Sequence, residues 1–371
     1  MSLRIGVDAS RVATGHRTGT EQYSVQLLEA LGALDRWNDY RLYFSARHRP
    51  ELHLPANFHA RSIPFPRLWT HARLSAEMLT DPPDLLFVPA HVVPLAHPRT
   101  VVTIHDLGYR AFPGAHPWRS RQYLEASTRW SAGVARRVIV PSEATARDLH
   151  AAYGTSRARI AVIPHGHGSR FRPLPEAEVA AGLARLGIAP PYILAVGTLQ
   201  PRKNLARTLA AFERLVARGL PHHLVLVGRR GWLADPLFAA LEAPGSPARG
   251  RVHLTGYLTD DDLPIVYNGA AALAFPSLYE GFGLPALEAL ACGLPTLTSD
   301  TTSLPEVVGD AALTVDPLDT DAITDGLERL LTDSGLRTEL RARGLERAQG
   351  FSWARAAAAT LATLEEAARD A

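Results

Sequence analysis

Two glutamates dominate the chemistry that this chain can offer. Glu280 and Glu288 are separated by seven residues in Phe275-Pro-Ser-Leu-Tyr-Glu280-Gly-Phe-Gly-Leu-Pro-Ala-Leu-Glu288. A carboxylate accepts hydrogen bonds from vicinal hydroxyls, the pattern that a sugar or a ribose presents. Between the two lie Gly281, Phe282 and Gly283, where a strand end gives way to a helix with Leu284 and Pro285 in its first turn. Pro is favoured there, and the amides of a helix start point positive potential at a bound anion. The segment therefore suits a phosphate or the polar edge of a sugar, although a tight turn with two surface glutamates would read the same way.

A second cluster is Val196-Gly-Thr-Leu-Gln-Pro-Arg202-Lys203-Asn204. Of the 39 basic residues 38 are Arg, and Lys203 is the single Lys. A retained Lys in so Arg-biased a chain points to a position that needs a compact ammonium. Arg202 and Lys203 can neutralise a leaving diphosphate without a metal. Ordinary helix-start chemistry favours acids at such a position, not bases. Thr103-Ile-His105-Asp106-Leu places a histidine at a strand end, facing a cleft in this reading, whereas a lone His is more often structural. The loop Asp8 to Glu21 carries Gly15, Gly19 and Thr20, and glycines there let the backbone approach a ligand; a plain flexible loop fits equally well.

Other residues are discounted. Asp260-Asp261-Asp262 is read as capping the helix that follows, not as a metal site. His165 and His167 flank Gly166 without zinc-like spacing. Cys292 is the only cysteine, which excludes an intrachain disulfide and a thiolate cluster. No metal and no cofactor are expected.

The elements that must position these residues are legible as alternation. Apolar, β-branched or Leu-rich runs mark strands at Arg4–Ser10, Tyr40–Ser45, Asp84–Ala90, Thr100–Asp106, Arg137–Ser142 and Ile160–Gly166. Six more follow at Tyr192–Thr198, His223–Gly228, Val252–Tyr257, Ala271–Pro276, Pro295–Ser299 and Ala312–Asp316. Continuous apolar runs suit strands covered on both faces of a parallel sheet. Helical patterns at Thr20–Leu34, Ser142–Tyr153, Leu205–Arg218, Leu284–Cys292 and Asp319–Leu331 lie between them. The class is α/β, doubly wound. A proline-punctuated stretch from Phe171 to Glu176 divides the chain into residues 1–172 and 173–352, with a tail helix, 353–371, expected to return to the first domain. Ligands of such sheets bind beyond the carboxyl ends of the strands.

With 371 residues, 46% hydrophobic and 20% charged, the composition is that of a globular protein, and no apolar run nears the roughly 20 residues of a membrane span. The N-terminus reads as a first strand, not a signal peptide, and a cytoplasmic location is expected. Residues 1–180 hold 22 Arg and 15 acidic residues, a balance of +7; residues 181–371 carry −5. That asymmetry suggests an anionic partner for the front half, such as a phosphorylated acceptor or the inner face of a membrane. Arg61–Arg73, with Phe65, Leu68 and Trp69, and Arg119–Arg137, with Tyr123 and Trp130, concentrate it. Nucleic acid is disfavoured, because no basic run is interleaved with aromatics in the manner of a nucleic-acid face.

Together the motifs resemble the family-four retaining glycosyltransferases of the GT-B fold, two Rossmann-like domains facing across a cleft. The likeness spans nearly the whole chain: the Gly19 loop, Thr103–Leu107, Val140-Pro-Ser142, Ile163-Pro-His-Gly166, Gly197–Asn204, Leu226–Trp232 and the glutamate pair. It implies an acceptor-side first domain and a donor-binding second one. It implies Glu280, with Gly281, Phe282, Gly283 and His105, beside the donor sugar, and Lys203, Arg202, Gly19 and Thr20 at the diphosphate. Glu288 is implied at the ribose, with Leu284, Tyr257 and Leu258 around the nucleotide. His105, Glu280 and Lys203 become the catalytic residues of a metal-independent transfer with retention. The form Gly-Thr-Leu-Gln-Pro-Arg-Lys-Asn looks like bacterial mannosyltransferases of surface polysaccharide assembly, which points to GDP-mannose as donor and a glycan or lipid-linked glycan as acceptor. Two positions depart from the family: Thr198 stands where Arg is usual, leaving Arg202 or Arg229 to supply a guanidinium, and His165 stands where Asn is common.

Rival readings stay open on the sequence alone. Gly281-Phe-Gly283-Leu-Pro-Ala286, with Asp300 after the next strand, also fits a dinucleotide fingerprint, so an NAD-dependent oxidoreductase is an alternative. A GT-B sugar-nucleotide epimerase and a non-catalytic nucleotide-sugar-binding protein are others.

Overall fold

The computed structural model describes residues 2–12, 19–46, 52–115, 117–243 and 245–369. The chain forms two compact units: Met1–Arg110 with Trp118–Gly166 and Phe351–Ala371, and Ala111–Pro117 with His167–Gly350.

The first unit is built on a seven-stranded sheet in the order β3-β2-β1-β4-β5-β6-β7. Its strands are β1 (Arg4–Asp8), β2 (Asp39–Phe44), β3 (Phe58–Ser62), β4 (Leu85–Val88), β5 (Thr100–Thr103), β6 (Arg137–Val140) and β7 (Ile160–Val162). Every pairing is parallel. β4, Leu-Leu-Phe-Val, is buried at all four positions, as a strand covered on both faces must be. β3 escapes the sequence reading for the opposite reason. It is Phe-His-Ala-Arg-Ser at the sheet edge, with three exposed residues. Edge strands carry polar and charged residues, so no apolar run announces them. Helix Glu143–Tyr153 starts where the Ser142 hydroxyl accepts from the Thr145 amide and stops at left-handed Gly154. Helix Trp353–Arg369 packs on helix Gly19–Leu34 and on the first sheet.

The second unit has six parallel strands in the order β10-β9-β8-β11-β12-β13. These are β8 (Tyr192–Val196), β9 (His223–Val227), β10 (Val252–Gly256), β11 (Ala272–Phe275), β12 (Thr296–Ser299) and β13 (Leu313–Val315). In strand order this is 3-2-1-4-5-6, the dinucleotide-fold arrangement, and the order reverses between β8 and β11. Helix Leu205–Ala217 buries Leu205, Leu209, Phe212 and Leu215 along one face, against Leu224 and Leu226 of β9 and Ile323 and Leu327 of helix Thr320–Thr332. Burying each such side chain is worth about 1.5–3 kcal/mol, which fixes the helix that follows the Arg202–Lys203 loop.

Candidate functional site

The strand reversal sets the site. Gly197–Lys203 leaves the carboxyl end of β8, and Pro276–Gly283 leaves that of its neighbour β11. A ligand crevice opens at such a switch point. The two loops are knitted together: the Leu278 amide donates to the Arg202 carbonyl at 2.9 Å, and the Asn204 amide group donates to the carbonyls of Pro276 and Pro317 at 2.9 and 2.6 Å. Asn204 holds a left-handed turn there, φ +58°, which its short polar side chain tolerates.

Three charges meet on this frame. Lys203 Nζ donates to Glu280 Oε1 at 2.6 Å. Arg202 donates to Glu280 Oε2 at 3.1 Å and to the Tyr279 carbonyl at 2.6 Å. Burial alone would raise the Glu280 pKa, but Lys203 and then Arg202 outweigh it and hold the carboxyl below its usual range. The lysine also stands 4.7 Å from the Phe275 ring centre, a cation–π contact. Its stem passes Gly197, where an added Cβ would come within 2.9 Å of Lys203 Cε. Glycine after β8 therefore makes room for the lysine.

The glycine loop is equally constrained. Ser303 Oγ donates to the carbonyls of Glu280 and Phe282, both at 2.9 Å, and the Glu280 amide reaches Thr302 Oγ1 at 3.3 Å. Gly283 sits at φ +108° at the start of helix Leu284–Cys292, and a Cβ there would strike Leu304 at 2.5 Å. Glu288 lies one turn into that helix, and Tyr267 donates its hydroxyl to Oε2 at 2.9 Å. Burial, despite that hydrogen bond, pushes the Glu288 pKa up to about 8.

Lys203, Arg202, Glu280, Gly281, Phe282, Gly283, Leu284 and Glu288 thus gather on the second sheet. Tyr257 and Leu258 follow β10 at the same end of that sheet, with the Arg229 guanidinium 6.0 Å from the Tyr257 ring centre. Of the two guanidinium donors weighed for the Thr198 position, Arg202 is the one bonded to Glu280.

His105, Gly19 and Thr20 belong to the first unit. His105 follows β5 and is buried, and its Nε2–H donates to the Pro89 carbonyl at 2.9 Å. Burial and then His91 lower its pKa to about 4, so the ring is neutral at neutral pH. Tyr23 meets it edge-on at 4.7 Å and bonds the Thr103 hydroxyl at 3.0 Å. His165 stacks on Trp353 at 5.7 Å. Gly19 and Thr20 open helix Gly19–Leu34, and a Cβ on Gly19 would meet no atom within 4 Å. Gly15 lies outside the described residues.

Several expectations need correction. Asp262 stands at the N-cap of helix Leu263–Gly269 but does not cap it with its side chain. Its carboxylate is taken by Arg185 and the Thr259 hydroxyl, and Asp260 pairs with Arg170 at 3.1 Å. Trp69 is buried and donates its indole N–H to the Ile63 carbonyl at 2.7 Å, so it is core and not surface. Arg61 and Arg73 are engaged by Glu77. Phe65, Leu68, Tyr123 and Trp130 do remain exposed, and so does Trp118, which the sequence reading did not name. Tyr123 reaches His71 at 3.3 Å, which puts parts of both Arg-rich stretches on one side of the unit. Among the described residues no helix is long and apolar enough to cross a membrane.

Sequence reading missed Ser303, Thr302 and Tyr267. They act through contacts across 21 to 23 residues, and no local pattern marks them.

Two doubly wound units, with a cation–carboxylate cluster at the strand reversal of the second, define a GT-B glycosyltransferase. A sequence model described as Glycosyltransferase Family 4 matches residues 17–167, and one described as Glycosyl transferases group 1 matches residues 185–347. The O-antigen chain mannosyltransferase B of Escherichia coli is 33% identical over 355 residues, 91% of this chain and 93% of that protein. MMP alpha-(1->4)-mannosyltransferase of Mycolicibacterium hassiacum is 33% identical over 244 residues, 63% of this chain and 56% of that protein. Sucrose-phosphate synthase from Thermosynechococcus elongatus shares the fold with a TM-score of 0.78 at 22% identity, covering 98% of each chain. HepE of Anabaena, solved with UDP and glucose, gives 0.76 at 17% identity, covering 98% of this chain and all of that one.

The chain belongs to glycosyltransferase family 4. As such it takes a nucleotide-sugar donor and a glycan acceptor. The oxidoreductase and epimerase alternatives find no support in these likenesses. The glycine fingerprint also follows the fourth strand of its unit, β11, whereas a dinucleotide fingerprint follows the first.

Proposed function

We propose that the protein transfers mannose from GDP-mannose, with retention, to a glycan or lipid-linked glycan in surface polysaccharide assembly. The observation that carries the chemistry is the Lys203–Glu280 pair, 2.6 Å apart at the β8/β11 switch point. The names of the two mannosyltransferase relatives support the sugar.

In this reading the donor diphosphate takes over Lys203 and Arg202, and Gly19 and Thr20 present backbone to it. Glu280, released from the cations, accepts from the sugar hydroxyls beside Gly281, Phe282 and Gly283. Glu288 accepts from the ribose, with Leu284, Tyr257 and Leu258 around the nucleotide. His105, neutral, lies against the sugar and offers Nδ1 as an acceptor. The anomeric C–O bond breaks towards the diphosphate, and the two cations stabilise the charge that forms there. The acceptor hydroxyl attacks from the same face and passes its proton to the departing phosphate oxygen. Cationic side chains do the work a metal would do, so the transfer is metal-independent.

The same reading places the protein in the cytoplasm, peripheral on the inner membrane face. Exposed aromatic rings suit the headgroup layer, and each basic residue near an anionic surface adds about 1 kcal/mol. Phe65, Leu68, Trp118, Tyr123 and Trp130, with arginines such as Arg119 and Arg121, form that contact. A thermal-shift screen with GDP-, UDP- and ADP-sugars tests the donor. GDP-mannose is expected to stabilise the protein most, and a larger shift with a UDP-sugar would reassign it.

A further inference from the structure

The amino ends of the strands in the second sheet carry a feature that the transfer reaction does not use. A cavity of about 460 Å³ opens where β9, β11 and β12 begin, away from the strand ends that bear Lys203 and Glu280. Its polar lining is His222, Ser334, Arg337, Thr338 and Arg341, and no acidic residue takes part. Arg337 and Arg341 stand four residues apart on helix Ser334–Ala348, so they share one face of it.

Their bonding leaves charge to spare. Arg337 donates one terminal nitrogen to the carbonyls of Leu330 and Leu331, and Arg341 donates one to the Gly293 carbonyl. Among the described residues neither has a carboxylate partner. On the same helix Arg343 pairs with both Glu339 and Asp310. A guanidinium has five donors, so each cavity arginine keeps several for a ligand. The nearest acid in sequence, Glu339, is paired with Arg343, and Asp333 is occupied in capping the helix by accepting from the Leu336 amide.

The third polar group is the more telling. Nδ1 of His222 is buried with no hydrogen-bond partner among the described residues. Buried polar atoms are nearly always satisfied, and among the described residues that line the cavity His222 alone carries such an orphan. Burial, then Arg251 and Arg337, lower the His222 pKa. Cationic neighbours oppose its protonation, and a bound anion would reverse that.

We propose that this cavity binds the phosphate of a small phosphorylated molecule, at a site separate from the donor site. Ser334, Arg337 and Arg341 line the cavity from one helix, and His222 lines it from the segment that leads into β9. That set matches a tetrahedral oxyanion, and Arg is the residue suited to phosphate geometry. Arg341 also rests on Gly293, which ends the helix whose other end opens at Gly283 in the donor site.

The test uses inorganic pyrophosphate and the full chain carrying Lys203→Ala, which removes the competing lysine at the donor site. The histidine C–H signals are followed by NMR, with His222 assigned from His222→Gln. Pyrophosphate is expected to shift the His222 signal saturably and to raise its titration midpoint. Adding Arg337→Gln and Arg341→Gln should weaken that response at least tenfold, and Gln keeps a donor for the carbonyls each Arg now serves. A His222 signal that pyrophosphate leaves unmoved in the Lys203→Ala protein overturns the proposal, whatever the arginine variants do. So does equal affinity with and without the two arginines.

Discussion

Lys203 Nζ and Glu280 Oε1 lie 2.6 Å apart although they stand 77 positions apart in the chain. They meet because β8 and β11 are neighbours in the sheet, and each residue sits in the loop that leaves its strand. In the proposed function the carboxylate holds the ammonium until the donor diphosphate takes it, so that Glu280 would stand in for the phosphate charge.

Lys203→Ala should lower turnover at saturating donor by about 10²-fold or more, the scale for loss of one transition-state charge contact. Arg202 remains bonded to Glu280, so the buried carboxylate keeps a cation and the melting temperature should change little. Near-normal turnover in this variant would remove Lys203 from the chemistry.

The two glutamates should separate by ligand. Glu288→Ala is expected to weaken the bare nucleoside diphosphate about tenfold, the scale of losing a hydrogen bond to a charged group. Glu280→Ala should leave that affinity nearly intact and impair transfer. Calorimetry on both variants decides, and equal losses would collapse the assignment.

Glu288 also predicts a pH dependence. Its carboxyl titrates near pH 8 in the free protein, far above the ordinary value of about 4.3. Ribose hydroxyls that donate to it favour the carboxylate, so binding below pH 8 must release its proton. Nucleoside diphosphate affinity should then rise between pH 6 and 8, and Glu288→Gln should flatten the rise. Stability runs the other way. The folded pKa is raised, so between about pH 4.5 and 8 the native state binds the extra proton, and stability falls as pH climbs through that window. A melting temperature in Glu288→Gln that falls with pH as steeply as wild type would contradict this.

Transfer activity should survive excess EDTA, because Arg202 and Lys203 supply the positive charge and Asp260 and Asp262 are engaged by Arg170 and Arg185. Loss of activity with rescue by Mn²⁺ or Mg²⁺ would require a metal in the mechanism.

Vesicle co-sedimentation addresses the membrane contact. Binding to anionic vesicles, lost in high salt, should fall when Phe65 and Leu68 become Ser and further when Arg119 and Arg121 become Glu. No binding at low salt to anionic vesicles would falsify the contact.

Much of this architecture was legible because buried parallel strands are written as continuous apolar runs. Leu85–Val88 and Tyr192–Val196 are plain examples. The edge strand Phe58–Ser62 was not, since half of its surroundings are solvent. The residues proposed for the site stand out in the sequence by position after strands and by type, with Lys203 conspicuous against 38 arginines. Their partners do not. That Tyr267 serves Glu288, and that Ser303 pins the glycine loop, depends on which strands become neighbours. Trp69 shows the converse error: an aromatic among arginines reads as surface until its indole is found bonded to Ile63 inside the core.

The most direct test of the central claim is the anomeric configuration of the product. Wild-type protein, GDP-mannose and a mannan oligosaccharide acceptor are incubated, and the new linkage is read by NMR alongside Lys203→Ala and Glu280→Ala controls. An α-linked mannose that matches the donor configuration, formed by wild type and nearly absent with either variant, is the predicted result. A β-linked product, or undiminished transfer by both variants, would contradict the account.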